Sequence, residues 1–304
     1  MASERNGARG RGAAWAAFVA AAIAAGCGAP PPAPRPSPPR PPPRSDVELP
    51  PGPDPAEACG DTAAGFDDWV AAFGERAMAQ GISEDVARRA LGRVAYDPGV
   101  IELDRAQAGT RPTFEEYVKK RVTPARLRRG KVMLERHAEL FGRITARFGV
   151  PKELLAAIWG LETDFGDNQG STPAVRALAT LAWDCRRAPR FRAELSSALR
   201  LAQRGDVPVE RMIGAWAGEL GQTQFLPSSW EKFGIDFDGD GRVDLVGSSA
   251  DALGSTANYL AGYGWRAGEP YGEGSANFAV LSEWNKSETY RKTIVLYASK
   301  LKAK

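Results

Sequence analysis

Histidine is almost absent from this chain: His137 is the only one in 304 residues. A single imidazole argues against histidine-dependent triads and His-rich zinc sites, and leaves acid–base chemistry to carboxylates. His137 itself falls in "PARLRRGKVMLERHAELFGRITARFG" beside an apolar stripe of Leu127, Leu134, Phe141 and Phe148, a place that suits packing or surface better than catalysis. The apolar run "AAWAAFVAAAIAAG" at 13–26 is too short to span a bilayer. The body lacks a basic run interleaved with aromatics, and the formal net charge is only +3, so nucleic acid is not an expected partner. A polyanionic polymer of the cell envelope stays open.

What is present at the start reads as export. Arg5, Arg9 and Arg11 precede the apolar run, which ends in "AAGC" at Cys27. Residues 1–27 therefore read as a signal peptide whose end resembles a bacterial lipobox, with Cys27 as the lipidated residue. Ala24 stands where Leu is usual, and Gly28 in place of Asp resembles the outer-membrane sorting pattern. Residues 28–58 are Pro-rich with scattered Arg, an extended spacer without a core. An exported body, 59–304, sits in an oxidising compartment and keeps two cysteines, so Cys59 and Cys185 are expected to form a disulfide.

The body reads as helices. Phe66, Trp69, Val70, Phe73 and Met78 share a stripe, and Ser83 is placed to cap the next helix. Thr113 and Glu116 have capping-box spacing, and one long helix is predicted from Pro124 to Phe148 behind Thr123. Two further helical patterns, "TPAVRALATLAWDC" and "RFRAELSSALRLAQRG", follow. From Gly214 onward the chain turns rich in Gly, Ser and Gln, with Trp216, Phe225, Trp230 and Phe233 among them. That mixture suits either a sugar-binding groove or a loop-rich core patch.

Two signals carry chemistry. In "VPKELLAAIWGLETDFG", Leu154, Ile158 and Glu162 fall at i, i+4 and i+8, so an apolar stripe ends in a carboxyl group. Burial would raise its pKa and make it a proton donor; the competing reading is a structural Glu paired with Arg. The small polar turn of Thr163, Gly166, Asn168 and Gly170 favours a groove floor. Glu219, in "AGELGQ", is the candidate second acid, without an apolar pocket in its spacing. The other signal is "IDFDGDGRVDLVGSSADALGS": Asp236, Asp238 and Asp240 alternate ahead of Gly241, as in an EF-hand loop. Position twelve is Gly247 instead of Glu. Asp251 is placed to supply that ligand from the next helix, with Arg242 giving its backbone carbonyl, and Asp244 nearby. A structural Ca2+ that stiffens the groove wall is expected.

In order, "AAIWGLETDFGDNQG", "GAWAGELGQTQFLPSSW", the Asp-rich loop, "ANYLAGYGW" and "LSEWNKS" resemble the B-type membrane-bound lytic murein transglycosylases, glycoside hydrolase family 103, over residues 59–300. The resemblance implies a mainly α, lysozyme-like core with an additional helical lobe and a small EF-hand-like calcium loop. It implies cleavage of the β-1,4 bond between N-acetylmuramic acid and N-acetylglucosamine, giving 1,6-anhydro ends, with Glu162 catalytic. Gln222, Gln224, Ser228, Tyr259 and Asn285 take the family's groove positions, and Ala215 replaces a Ser there. No organic cofactor is implied. Glycan strands are the partner, with a membrane reached only through the lipid anchor; partners in cell-wall synthesis or division are unassigned. The expected place is the periplasm of a Gram-negative bacterium, at its outer membrane. Two alternatives stay beside this one: a hydrolysing muramidase using Glu162 with Glu219, and a non-catalytic peptidoglycan-binding lipoprotein.

Overall fold

The computed structural model describes residues 58–106 and 112–303. The signal segment with Cys27, and all of the Pro-rich linker but its last residue, lie outside the described residues. Helices make up nearly all of the regular structure, and one of them organises the rest. Helix α7 (Lys152–Thr163) begins behind Pro151 and ends two residues short of Phe165. Leu154 through Leu161 are all buried, so α7 is enclosed on every side and not along one stripe. Neighbours on all sides explain this: α5 (Pro124–Arg136), α6 (Ala138–Phe148), α11 (Ser249–Gly262) and α13 (Glu288–Lys302) all pack against it.

Caps set the boundaries. Thr123 accepts the amide of Arg126 with Pro124 in the first turn of α5, and Thr113 and Glu116 form a reciprocal capping box on α4 (Phe114–Arg121). The single helix predicted over 124–148 is two helices, broken at His137. His137 turns its ring edge-on to Trp159 of α7 at 5.5 Å, and the break lets both halves follow the central helix. Burial lowers the imidazole pKa, consistent with packing.

The amino-terminal helices α1 (Phe66–Ala79), α2 (Glu84–Leu91) and α3 (Pro98–Ala106) cover α8 (Ala174–Trp183) and α9 (Ala188–Arg204). In α1 the buried stripe is Phe66, Trp69, Val70, Phe73 and Ala77; Met78, expected on it, is exposed because it lies one position beyond the buried face. Cys59 and Cys185 are joined by a disulfide with Cα atoms 5.1 Å apart. The only sheet among the described residues pairs β1 (Thr172–Pro173) with β2 (Ile213–Gly214). Beyond it lie α10 (Pro227–Phe233) and α12 (Ala276–Trp284).

Close packing at the end of α7 yields a stability prediction. A Cβ on Gly160 would sit 2.6 Å from the Phe165 ring and 3.1 Å from Tyr297. Alanine favours a helix interior by about 1 kcal/mol over glycine, but overpacking a closed core costs about 1–3 kcal/mol. Gly160→Ala is therefore expected to lower the urea midpoint of unfolding, against the propensity scale.

Candidate active site

Glu162 occupies the last turn of α7, half-buried, with two donors on one oxygen. The Tyr290 hydroxyl from α13 donates to Oε1, and so does Trp284 Nε1 from the end of α12, at 3.2 Å. Among the described residues, no protein donor is recorded for Oε2. Burial pushes the Glu162 carboxyl up to about 7; the bonds from Tyr290 and Trp284 and the charge of Arg121 oppose it, and Glu219 adds to it. Tyr290 stays a phenol, since burial and the neighbouring carboxyl hold its pKa well above 10. Tyr117, on α4, faces the same group, with its pKa raised chiefly by burial. A carboxyl poised near neutrality can both give and take a proton at physiological pH.

The other sequence-predicted residues divide. Tyr259 is buried among the rings of Phe225, Phe233, Tyr263 and Trp284, with centroids 4.7–5.9 Å away, and its hydroxyl donates to the Glu283 carbonyl at 2.6 Å. Asn285, next to Trp284, closes α12, and its Oδ1 accepts the Ser287 amide at 2.9 Å. Gln224 is half-buried and holds φ at 55°, a left-handed value uncommon outside glycine; its Nε2 donates to the carbonyls of Gly221 and Gln169. Of these three, Tyr259 packs directly on Trp284, the ring that donates to Glu162.

Gln222 and Ser228 are committed elsewhere. Gln222 is buried, donates to the Val246 carbonyl, accepts the Ser249 hydroxyl, and through its own carbonyl accepts Thr163 Oγ1 at 2.5 Å. It braces the end of α7 against the Asp-rich loop. Ser228 gives its hydroxyl to Glu194 Oε1 at 2.8 Å and its amide to Oε2 at 3.0 Å, so a buried carboxylate caps the first turn of α10. Glu219 is half-buried with its pKa raised by burial, and its Oε2 is enclosed without a hydrogen-bond partner. Ala215 donates its amide to the Glu219 carbonyl.

In the Asp-rich loop, Asp236, Asp238 and Asp251 bring carboxylate oxygens within 4.8 Å of one another. Asp240 does not join them: its Oδ1 accepts the Arg242 amide and its Oδ2 faces the Arg242 guanidinium at 3.4 Å. Asp244 turns to the amides of Val246 and Gly247. Three converging hard oxygens suit Ca2+ in donor type, and Asp251 at the start of α11 is buried at 1 % exposure. Asp251 also receives the amides of Phe237, Asp238 and Asp244. Asp251→Asn would set its amide nitrogen against one of those N–H groups. The expected loss is about 1–3 kcal/mol of unfolding free energy, measured by urea titration.

Sequence reasoning missed Tyr290, Trp284 and Tyr117. Trp284 stands inside a quoted motif, but nothing in the local pattern around Tyr290 announces a contact 128 residues away.

The profile of the transglycosylase SLT domain family matches residues 65–275. The chain is 36% identical over 163 residues to membrane-bound lytic murein transglycosylase B of Escherichia coli, which covers 53% of this chain and 45% of that protein. Its fold matches SltB3 from Pseudomonas aeruginosa, solved with NAG-NAM-pentapeptide, at a TM-score of 0.75 and 32% identity, over 81% of both chains. It also matches the Escherichia coli lytic transglycosylase Slt35 in complex with calcium, at a TM-score of 0.71 and 24% identity, over 82% of this chain and 98% of that one. At that identity the likeness bears on the fold alone.

Proposed function

The chain belongs to the transglycosylase SLT domain family, and on that premise we propose that it is a lytic transglycosylase of peptidoglycan with Glu162 as its single acid and base. The match spans less than half of the curated Escherichia coli relative, so the reading rests on this chain's own site. The observation that carries it is one carboxyl on the central helix, its pKa pushed up to about 7 by burial and its Oε1 held by two donors.

Protonated Glu162 gives its proton to the glycosidic oxygen between N-acetylmuramic acid and N-acetylglucosamine as the bond from C1 breaks. The substrate's N-acetyl oxygen stabilises the cation developing at C1, the substrate-assisted variant of glycosidase chemistry. Glu162, now a carboxylate, takes the proton of the muramyl C6 hydroxyl while that oxygen bonds to C1. The 1,6-anhydro end forms without consuming water. Trp284, partly exposed and backed by the buried rings of Tyr259 and Phe225, supplies a ring face for a sugar, and Gln224 and Asn285 supply amides for its polar groups. Ser228 and Gln222 serve the frame.

Ca2+ fits the set Asp236, Asp238 and Asp251, where it would neutralise facing carboxylates and stiffen the loop that Gln222 ties to α7. A calorimetric titration with no heat of calcium binding rejects the site. Export to the periplasm with Cys27 lipidated, at the outer membrane, suits an enzyme named membrane-bound in its relative.

Digestion of purified peptidoglycan followed by product mass analysis tests the reaction. Products lighter by one water than the reducing-end sugars are expected. Reducing ends would assign hydrolysis instead, with Glu219, already raised by burial, as the second acid.

A further inference from the structure

We propose that Arg121 and Arg126 form a positioning bracket around Glu162, with Arg121 supplying the charge that lets the buried carboxyl change from acid to base. The inference rests on the catalytic assignment of Glu162, and its observations lie outside the substrate-facing side of the site.

Arg121 ends α4 and donates from Nη2 to the carbonyl of Leu161, immediately before Glu162. Arg126, in the first turn of α5, binds Asp164 through two parallel bonds, Nε to Oδ1 at 3.0 Å and Nη2 to Oδ2 at 3.2 Å. Its Nη1 reaches back to the carbonyl of Arg121 at 2.5 Å. The two guanidinium groups thus close a ring of contacts through Leu161 and Asp164, with Glu162 between them in sequence. Thr163, the remaining residue of that span, is fixed to Gln222 from the other side.

The bracketed segment is strained. Asp164 and Phe165 hold φ at 56° and 64° in succession, each in the left-handed region that costs an ordinary residue about 1–2 kcal/mol. Such a pair persists only where its surroundings fix it. The bidentate ion pair fixes Asp164, and the Phe165 ring fits a slot left by two glycines, Gly130 and Gly160. Without the bracket, α7 has no reason to stop where it does, and the Glu162 side chain loses its fixed approach to Tyr290 and Trp284.

The two arginines differ in charge balance. Asp164 answers Arg126, whereas Arg121 has no carboxylate in an ion pair with it among the described residues, and its Nε is buried without a hydrogen-bond partner. Its net positive charge therefore stays beside the C-terminal end of α7, where it also complements the helix dipole. The groups facing Glu162 are Tyr290 of α13, Tyr117 and Arg121 of α4, and Glu219 of the loop after β2; Asp164 feels Arg126 most, then Arg129 of α5, and Arg121 least. Arg121, anchored on the carbonyl next to Glu162, is the cation that opposes the burial of its carboxyl. Burial favours the acid form needed for the first half-reaction, and Arg121 favours the carboxylate needed for the second.

The test compares Arg121→Gln with Arg121→Lys on soluble peptidoglycan fragments across pH. Arg121→Gln is expected to lower kcat by about tenfold to a hundredfold with little change in KM, and to move the basic limb of kcat/KM to higher pH, because the carboxyl then keeps its proton longer. Arg121→Lys is expected to restore the limb and recover only part of kcat, since it replaces the charge without the guanidinium geometry. A limb unmoved in a folded Arg121→Gln protein overturns the proposal, as does a displaced limb in Arg121→Lys should the Gln variant not fold. Infrared difference titration of the carboxyl band missing in Glu162→Gln separates this idea from the reading beneath it. If that band's midpoint shifts in Arg121→Gln while Glu162→Gln still turns over, the bracket stands and the catalytic assignment falls.

Discussion

Glu162→Gln is expected to lower kcat on peptidoglycan by about a thousandfold, within the range that a positioned general acid–base contributes, while fragment binding stays near that of the parent. The amide keeps the shape of the side chain and can still accept from Tyr290 and Trp284 at one oxygen, but it has no proton to deliver. The same substitution should raise the melting temperature at pH 8. The folded-state pKa lies at about 7, above the ordinary 4.5, so the native state binds the proton more tightly than the unfolded chain. Stability from this group is intact below the unfolded value and declines as pH rises through the folded one. Glutamine removes that decline, so the melting curves of variant and parent should lie close at pH 4 and separate by pH 8. Melting temperatures in parallel across that interval would contradict the burial of the carboxyl, and retained turnover would move catalysis to another residue.

Loss of the Cys59–Cys185 disulfide carries the second large effect. The bridge closes a loop across a separation of 126 residues, and chain-entropy reasoning assigns such a loop about 4–5 kcal/mol. For a body of this size that corresponds to a fall of roughly 10 °C or more in melting temperature. The surroundings of the bridge argue that the loss will be felt globally. Arg192 reaches the Ala58 carbonyl, Trp183 Nε1 reaches the Thr62 carbonyl, and the Gly60 amide bonds to the Trp183 carbonyl. On the other flank Asp184 takes a bidentate pair from Arg105, and Asp104 is contacted by Arg105, Arg186 and Arg187. A Cys59→Ser/Cys185→Ser double variant that melts within about 2 °C of the parent would show instead that these polar contacts alone seat the amino-terminal segment.

Much of this was legible from local pattern. Thr113, Ser83 and Thr123 announced their helices through hydroxyl caps, and the spacing of Leu154, Ile158 and Glu162 placed a carboxyl at the end of an apolar stripe on the central helix. What escaped was set by tertiary contact. A one-sided stripe could not reveal that α7 is enclosed all round, because Ala156, Ala157 and Gly160, which fill part of the remaining surface, carry little hydropathy signal. The split at His137 depends on Trp159, more than twenty positions along the chain. Ser228, expected from its motif as a sugar contact, gives both of its donors to a buried Glu194, a partner that local pattern does not announce. The Asp-rich pattern likewise offered Asp240 as a ligand, yet its carboxylate is turned to Arg242.

With Tyr290 and Trp284 both anchored to Oε1, the two oxygens of Glu162 are no longer interchangeable. In the proposed cycle, proton traffic would fall to Oε2 alone, and the carboxyl would not need to rotate between the two halves. On that proposal the leaving oxygen and the incoming C6 hydroxyl would visit the same point in space one after the other, so the sugar ring, and not the enzyme, would be the part that has to move.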